Sequence, residues 1–287
     1  MIPGSFDYHR PESVEAAIAL LASHPDEARV VAGGHSLIPM MKLRMATPEH
    51  LVDLQDIAGL KGITVDNGRI SIGAMVTQAE LIASQPLAEA CPILREAALM
   101  IADPQVRNVG TVGGNVANGD PGNDMPAIMQ ALDAEYVLQG PDGARTVAAR
   151  DYYEAAYFTA LEEGEILTAV RFDVPPEGHG YAYEKQKRKI GDYATAAAAV
   201  VLTMQGGTCS SASVTLTNVA DTPLVAADAA AALVGTAVDA RDIAAAADAA
   251  KAIAVPANDG RGPAEFRVHV CGVMVRRAVE TALARTA

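Results

Sequence analysis

Two pairs of adjacent glycines have the clearest potential for ligand binding in this chain of 287 residues. Residues 31–36 read Val-Ala-Gly-Gly-His-Ser, and residues 110–115 read Gly-Thr-Val-Gly-Gly-Asn. Because glycine tolerates positive φ, successive backbone N–H groups can converge on one anion, while Ser36, Thr111 and Asn115 add side-chain donors. Either pair alone is more often an ordinary tight turn. Together, each after an apolar segment, they favour a clamp around the pyrophosphate of a dinucleotide bound without a Rossmann motif.

The rest of the sequence excludes several other kinds of site. It contains no GxGxxG, GxxxxGK[ST], HExxH or GxSxG motif. Cys91, Cys209 and Cys271 are far apart and form no CxxC pair, so this chain cannot by itself hold a four-thiolate iron–sulfur cluster. No other histidine lies near His35 in sequence, so we expect no metal site. With 35 acidic against 22 basic residues the net charge is −13, which argues against binding of nucleic acid.

The elements that must position the two glycine pairs indicate an α+β fold. Helical spacing over 14–21 is followed by a short strand over 29–32, which runs directly into the first pair. Further segments are predicted as helical over 37–45, 77–101 and 125–132, and as strands over 49–54, 69–74 and 166–172. Three antiparallel strands over 181–189, 194–204 and 211–217 precede a helix that begins at Thr222-Pro223 and two Ala-rich helices. A change of pattern near 56–60 and the Pro175-Pro176 pair predict units at 1–57, 58–176 and 177–287.

The sequence also predicts the compartment. Residues 1–5 have no basic or apolar leader, and the most apolar stretch, 196–202, is much shorter than the roughly 20 residues that span a bilayer. An odd number of scattered cysteines favours a reducing compartment. We therefore expect a soluble cytoplasmic protein.

Three segments resemble the FAD-binding subunits of molybdenum hydroxylases: residues 32–36, the run 103–115 and residues 191–194. Residues 2–11, 119–126 and 187–193 are most similar to the carbon monoxide dehydrogenase branch of that family. The resemblance covers essentially the whole chain. It implies a two-lobed FAD-binding domain of the vanillyl-alcohol-oxidase (PCMH) type, followed by a smaller C-terminal domain.

The resemblance also implies a noncovalent FAD site, and no catalytic residue in this chain. The cofactor-binding residues that it predicts are Ala32, Gly33, Gly34, His35, Ser36, Leu37, Ile101, Thr111, Val112, Gly113, Gly114, Asn115, Asp124, Leu167, Lys185 and Tyr193.

Several of these residues have an equally simple structural interpretation. Asp124 can accept hydrogen bonds from FAD hydroxyl groups, cap the helix over 125–132, or do both. Lys185 is either a cation beside the flavin or a solvated lysine on an edge strand. Tyr193 either covers the flavin ring or is a half-buried core residue. Ile101 and Leu167 would be core residues in any case.

The function implied by the resemblance is electron transfer within a larger enzyme. Carbon monoxide would be oxidised at the molybdenum cofactor of a large subunit, and an iron–sulfur small subunit would relay electrons to the FAD of this chain. The acceptor would be a quinone or another external molecule, in a dimer of heterotrimers associated with the inner face of the cytoplasmic membrane.

Two alternatives remain at this stage. One is the flavin subunit of a molybdenum hydroxylase for a heterocycle, aldehyde or acyl-CoA. The other is a non-redox nucleotide-binding assembly protein. The basic run over 185–189 either docks the iron–sulfur subunit or is only a solvated surface.

Overall fold

The N-terminal unit is a small parallel sheet in the order β1-β3-β2, covered by helix α1. The computed structural model describes residues 2–286. Met1 and Ala287, the end residues of the predicted units 1–57 and 177–287, lie outside the described residues. The elements are β1 (Asp7–His9), α1 (Val14–Ser23), β2 (Ala28–Val31), α2 (Leu37–Lys42) and β3 (His50–Asp53). Helix α1 begins after Ser13, whose side chain accepts a hydrogen bond from the N–H of Ala16. The turn between β2 and α2 contains the first glycine pair.

The second unit is built on an antiparallel five-stranded sheet in the order β4-β5-β10-β6-β7. Its elements are β4 (Ile63–Asp66), β5 (Arg69–Gly73), α3 (Gln78–Ala83), α4 (Gln85–Ala90), α5 (Pro92–Met100), α6 (Pro104–Arg107), α7 (Val112–Ala117), α8 (Met125–Ala131), β6 (Glu135–Gly140), β7 (Gly143–Ala148), β8 (Tyr153–Ala155), β9 (Phe158–Thr159) and β10 (Ile166–Asp173). Pro86 and Pro92 lie in the first turns of α4 and α5, so the stretch predicted as helical over 77–101 is three short helices. The sheet and its helices share a core that includes Ile70, Tyr136 and Phe172.

The C-terminal unit is an antiparallel sheet in sequential order, packed against helices. Its elements are β11 (Gly180–Gln186), β12 (Ala196–Gln205), β13 (Thr208–Thr217), β14 (Leu224–Val225), α9 (Ala227–Ala231), α10 (Ala240–Ile253) and α11 (Ala264–Ala284). Strand β12 is buried on both faces. Ala197 and Ala199 pack into the core of the second unit, and the alternate residues face the core beneath α10 and α11. This two-sided burial explains why the strand is an unbroken apolar run.

The predicted α+β class and C-terminal antiparallel sheet are confirmed. The three predicted strands of that sheet are joined by the short β14, and the helix predicted from Thr222-Pro223 begins only at Ala227. Strand β11 ends at Gln186, so Lys187 and Lys189 lie beyond the strand predicted to carry them. The predicted limits after residues 57 and 176 fall between the sheets, and the division into three domains stays a prediction.

Candidate functional site

A cleft of about 800 Å³ is lined by residues from all three units. Every sequence-predicted site residue except Val112 lines this cleft. The side chain of Val112 is fully buried in the core of the second unit, so its predicted contact with a ligand is not supported by its position. Positions as distant in sequence as Ala32 and Tyr193 thus share one site.

The first glycine pair forms a turn with unpaired backbone donors. Among residues 2–286, the N–H groups of Gly33, Gly34, His35 and Ser36 have no hydrogen-bond partner. Gly34 has φ of 70°, a conformation that favours glycine. The Ser36 side chain makes no capping bond to α2, which begins at Leu37. This turn therefore offers several free donors to an anion on one wall of the cleft.

The second glycine pair has a different structure from the one predicted. Gly113 and Gly114 lie in α7 rather than in a turn with positive φ. The N–H of Gly113 donates to the carbonyl oxygen of Ala74 at 2.8 Å, and that of Gly114 donates to the Oγ1 of Thr111 at 3.0 Å. These two amides are therefore not available to a ligand, and the prediction that the second glycine pair forms an anion-binding turn is wrong.

Glycine is required in both pairs because of close packing. A Cβ on Gly33 would lie 2.4 Å from the carbonyl oxygen of Val109, in the loop before the second pair. A Cβ on Gly113 would lie 2.5 Å from the Cβ of Ala74 at the end of β5. Both distances are shorter than any tolerable contact. Glycine at position 33 therefore lets the N-terminal unit approach the loop before α7, and glycine at position 113 lets α7 approach the end of β5.

Asp124 and Lys185 form a buried ion pair at the cleft. The Nζ of Lys185 lies 2.8 Å from the Oδ2 of Asp124, and their side chains are 1% and 6% exposed. The hydroxyl of the buried Tyr183 donates to the other carboxylate oxygen. Burial raises the pKa of the Asp124 carboxyl, and the Lys185 ammonium opposes that shift. The interpretation of Lys185 as a solvated edge lysine is wrong, because its charge is buried and paired.

Asp124 does not cap the helix that follows it. Its side chain makes no capping hydrogen bond to α8, and the N–H of Met125 donates instead to the Oδ1 of Asn115 at 3.2 Å. Asn123 in turn donates to the carbonyl oxygen of Asn115 at 2.7 Å. Asn115 therefore connects the end of the second motif to α8, and it leaves the Asp124 carboxylate to Lys185 and Tyr183.

The remaining predicted residues supply apolar and aromatic surface. Ile101 and Leu167 are 7% and 5% exposed, which agrees with core residues whose surface also borders the cleft. Tyr193 follows the Gly191-Asp192 turn and is 40% exposed, so it is not a core tyrosine. Gly122 makes room for it, since a Cβ there would lie 2.7 Å from a ring carbon of Tyr193.

Sequence reasoning missed Gln78, the first residue of α3. Its side chain is 2% exposed, lines the cleft, and has no hydrogen-bond partner for either amide atom among residues 2–286. A buried amide without a partner is costly, so its position suits a ligand that completes its hydrogen bonds. The only sequence signal is that Gln78 and Leu81 have the spacing of one helix face.

Comparison with known proteins agrees with this site. The family described as the FAD binding domain in molybdopterin dehydrogenase matches residues 4–175, and the CO dehydrogenase flavoprotein C-terminal domain matches residues 181–282. The carbon monoxide dehydrogenase medium chain of Afipia carboxidovorans is 65% identical over 285 residues, or 99% of each chain. The medium chain of the same name from Hydrogenophaga pseudoflava is 48% identical over the full length of both. A chain in the crystal structure of a cyanide-inactivated Cu,Mo-CO dehydrogenase superposes with a TM-score of 0.98, at 65% identity and full coverage of both chains.

The fold and the cleft define an FAD-binding flavoprotein. More specifically, the chain belongs to the family of flavoprotein subunits of molybdopterin dehydrogenases, with a C-terminal domain of the CO dehydrogenase flavoprotein type. The predicted family and its FAD cofactor are confirmed. Among residues 2–286, no helix has both the length and the apolar character needed to cross a membrane.

Proposed function

We propose that this chain is the FAD-binding electron-transfer subunit of a molybdenum-containing carbon monoxide dehydrogenase. The observation that carries the proposal is the cleft between the first glycine turn and Gln78, in a chain 65% identical to a carbon monoxide dehydrogenase medium chain. When bound, FAD supplies reversible one- and two-electron redox chemistry. The protein residues bind it, orient it and set its surroundings.

The donors of the cleft fit a noncovalently bound pyrophosphate. Four N–H groups over 33–36 lack partners among the described residues, and the neighbouring amides of α7 are already used. A hydrogen bond to a charged group contributes about 1.5–3 kcal/mol, so several of them offset much of an association cost of roughly 4–15 kcal/mol. Gln78 adds a buried amide that needs a partner. Tight binding through Ala32, Leu37 and the other predicted residues needs no covalent link.

Lys185 and Asp124 contribute opposite charges to the wall of the cleft. Lys185 has its positive charge paired with Asp124, so the pair together adds little net charge to the cleft. The proposed role of the ion pair is to hold the Lys185 ammonium and the Asp124 carboxylate in fixed positions at the cleft. The Tyr183 hydroxyl orients the carboxylate. Ile101, Leu167 and Tyr193 line the cleft. The two aliphatic side chains would exclude water from the ring, and Tyr193 would cover its exposed face.

Co-purification with its partners tests the function. The chain is expressed with the iron–sulfur and molybdenum subunits of the same enzyme, and the complex is assayed for carbon monoxide oxidation with a quinone and with an artificial dye. We expect activity, acid-releasable FAD, and bleaching of the flavin by carbon monoxide. A heterocycle, aldehyde or acyl-CoA as the preferred substrate would support the alternative enzyme class instead. A protein that cannot be loaded with FAD would refute the proposal, and one whose bound FAD cannot be reduced would indicate an assembly protein.

The assembly is proposed to be a dimer of heterotrimers in the cytoplasm, associated with the inner face of the membrane. Native mass spectrometry of the purified complex gives the stoichiometry, and fractionation of washed membranes gives the location. A single heterotrimer, or a complex found only in the soluble fraction, would contradict the corresponding part of this proposal.

The segment after β11 is a proposed contact for the iron–sulfur subunit. Lys189 is exposed, and Ile190 beside it is 88% exposed, so the loop presents a cation and an apolar side chain together. Charge reversal at Lys187 and Lys189 should weaken assembly in a salt-dependent manner. Unchanged assembly of that variant would show that the loop is only a solvated surface.

A further inference from the structure

Three histidines of the N-terminal unit lie together although they are far apart in sequence. His9, His24 and His50 each offer a ring nitrogen within 4.8 Å of the other two. The Nε2 of His9 and the Nδ1 of His50 are 3.1 Å apart across 41 residues of sequence. The rings of His24 and His50 are nearly parallel, with centroids 3.7 Å apart. All three side chains are partly buried, so the cluster is held by the fold and remains reachable from solvent.

The parallel sheet explains the convergence. In the register of β1 and β3, Asp7 pairs with His50 and His9 pairs with Val52, so His9 and His50 lie on one face of the sheet. Helix α1 packs on that face through Ile18, and His24 directly follows the last residue of α1. The helix end thus delivers the third imidazole onto the two that the strands supply.

We propose that His9, His24 and His50 bind one divalent transition-metal ion of the zinc type. A tetrahedral zinc with Zn–N bonds of 2.0–2.1 Å separates its nitrogen ligands by about 3.3 Å. The His9–His50 separation is already close to that value, and the other ligand atoms lie within 4.8 Å. Binding would rotate the stacked rings of His24 and His50 so that they diverge around the ion. Imidazole suits zinc, copper and nickel, so the ligand set selects this class of ion over magnesium or calcium.

The fourth position is open to water or a carboxylate. The Oδ2 of Asp7 lies 4.0 Å from the Nδ1 of His50, and the Asp7 side chain is 80% exposed. Because Asp7 lies beside the same Nδ1 that faces His9, its carboxylate could occupy the fourth position. The ion would tie β1, β3 and the end of α1 together, next to the strand β2 that leads into the first glycine turn.

No thiol of the described chain competes for the ion at this position. Cys91, Cys209 and Cys271 are all buried, and none is part of the histidine cluster. The expectation of no metal site rests on spacing in sequence around His35 and the cysteines, and none of those residues is among the three histidines. His24 also lines the cleft, so the ion would lie at its edge, and zinc there would act structurally because it has no redox chemistry.

Zinc titration of the full-length chain loaded with FAD and carrying no histidine tag tests the proposal. A chromophoric zinc chelator reports competition, and zinc-edge X-ray absorption reports the ligands. The variants are His24→Gln and His50→Gln, and the matched control is His269→Gln, an exposed histidine outside the cluster. The melting temperature in EDTA shows that each variant is folded, and FAD content is recorded separately because His24 also lines the cleft.

We expect one zinc ion per chain, bound by nitrogen and oxygen ligands near 2.0–2.1 Å, and a higher melting temperature with zinc. Loss of a second-shell partner weakens metal binding about 10–100-fold, so loss of a direct ligand should cost at least tenfold. His269→Gln should bind as the unmodified chain does. Absence of saturable zinc binding by the unmodified chain overturns the proposal whether or not the variants fold. Equal zinc affinity of the two cluster variants and the His269→Gln control also overturns the proposal. The three histidines would then be a hydrogen-bonded and stacked group without a metal.

Discussion

Removing the charge of Asp124 should strongly destabilise the protein, because it leaves the Lys185 ammonium buried without its partner. In Asp124→Asn the side chain keeps its shape and retains an oxygen that can accept from the Tyr183 hydroxyl. The substitution therefore isolates the ion pair, whose side chains are 6% and 1% exposed and whose charged atoms are 2.8 Å apart. The matched control is Asp248→Asn, which breaks an exposed pair with Lys251 on α10.

The expected magnitudes differ severalfold. Breaking a buried pair by removing one partner costs about 3–5 kcal/mol, because the other charge stays in a poorly hydrated place. The Asp248 and Lys251 side chains are 72% and 39% exposed, so the control should lose at most about 1 kcal/mol. With a urea dependence of about 3 kcal/mol per M, Asp124→Asn should lower the unfolding midpoint by about 1–1.7 M.

Urea unfolding of the FAD-free chain, followed by circular dichroism, measures both effects without contributions from the cofactor. The double variant Asp124→Asn/Lys185→Met removes the orphaned charge and should recover at least about 1 kcal/mol of the loss. The reasoning is refuted if Asp124→Asn costs no more than Asp248→Asn. It is also refuted if the loss in the double variant equals the sum of the losses in Asp124→Asn and Lys185→Met, each measured alone.

Three further predictions follow from other parts of the cleft. Gln78→Leu should not lower the melting temperature of the FAD-free chain, because the amide has no partner there, but should increase loss of FAD on gel filtration. Gly33→Ala should lose about 1–3 kcal/mol of stability in urea and most of its FAD, whereas Gly59→Ala, where a Cβ meets nothing within 4 Å, should lose neither. The bidentate contact with Arg145 lowers the pKa of Glu165, so that contact stabilises the fold above pH 4.5 and its contribution fades as the pH falls towards the lowered pKa. Since Arg145 is 37% exposed, Glu165→Gln should cost about 1 kcal/mol at pH 7, and thermal melting should show a smaller difference below pH 4.5.

Each of these has an outcome that contradicts it. Full FAD retention by Gln78→Leu would show that the amide does not face the cofactor. Equal behaviour of the two glycine variants would show that backbone packing at Gly33 is not tight. A constant difference between Glu165→Gln and the unmodified chain across the pH range would show that ionisation of Glu165 does not contribute.

The elements with a simple periodicity were predictable from the sequence. The spacing of apolar residues placed α1, and the alternation over 69–74 placed β5, because each buries one face. The apolar run of β12 carries no period, and its burial on both sides depends on α8 and α11, which come from different units. The start of the helix after Thr222 was misplaced because β14 pairs there with β13, a long-range contact that local residue preferences do not encode.

The residues of the site were more predictable than their roles. Family resemblance located Asp124 and Lys185, but only the fold shows that they neutralise each other. Gln78 was missed because a buried glutamine in a helix carries no motif. The histidine cluster was missed because parallel strand register, rather than spacing in sequence, brings His9 and His50 together.

The two glycine pairs, similar in sequence, have unequal tasks because of the hydrogen bonds that surround them. The N–H groups of Gly113 and Gly114 donate to acceptors within the protein, and the bond from Gly113 holds α7 against the end of β5. Among residues 2–286, the N–H groups of Gly33 and Gly34 have no such partner and are left for a ligand. The close approach of Gly33 to the loop before α7 makes the first turn depend on the position of the second. A substitution that displaces α7 should therefore reduce FAD retention even where it touches no cofactor atom, since the free donors of the first turn would be displaced with it.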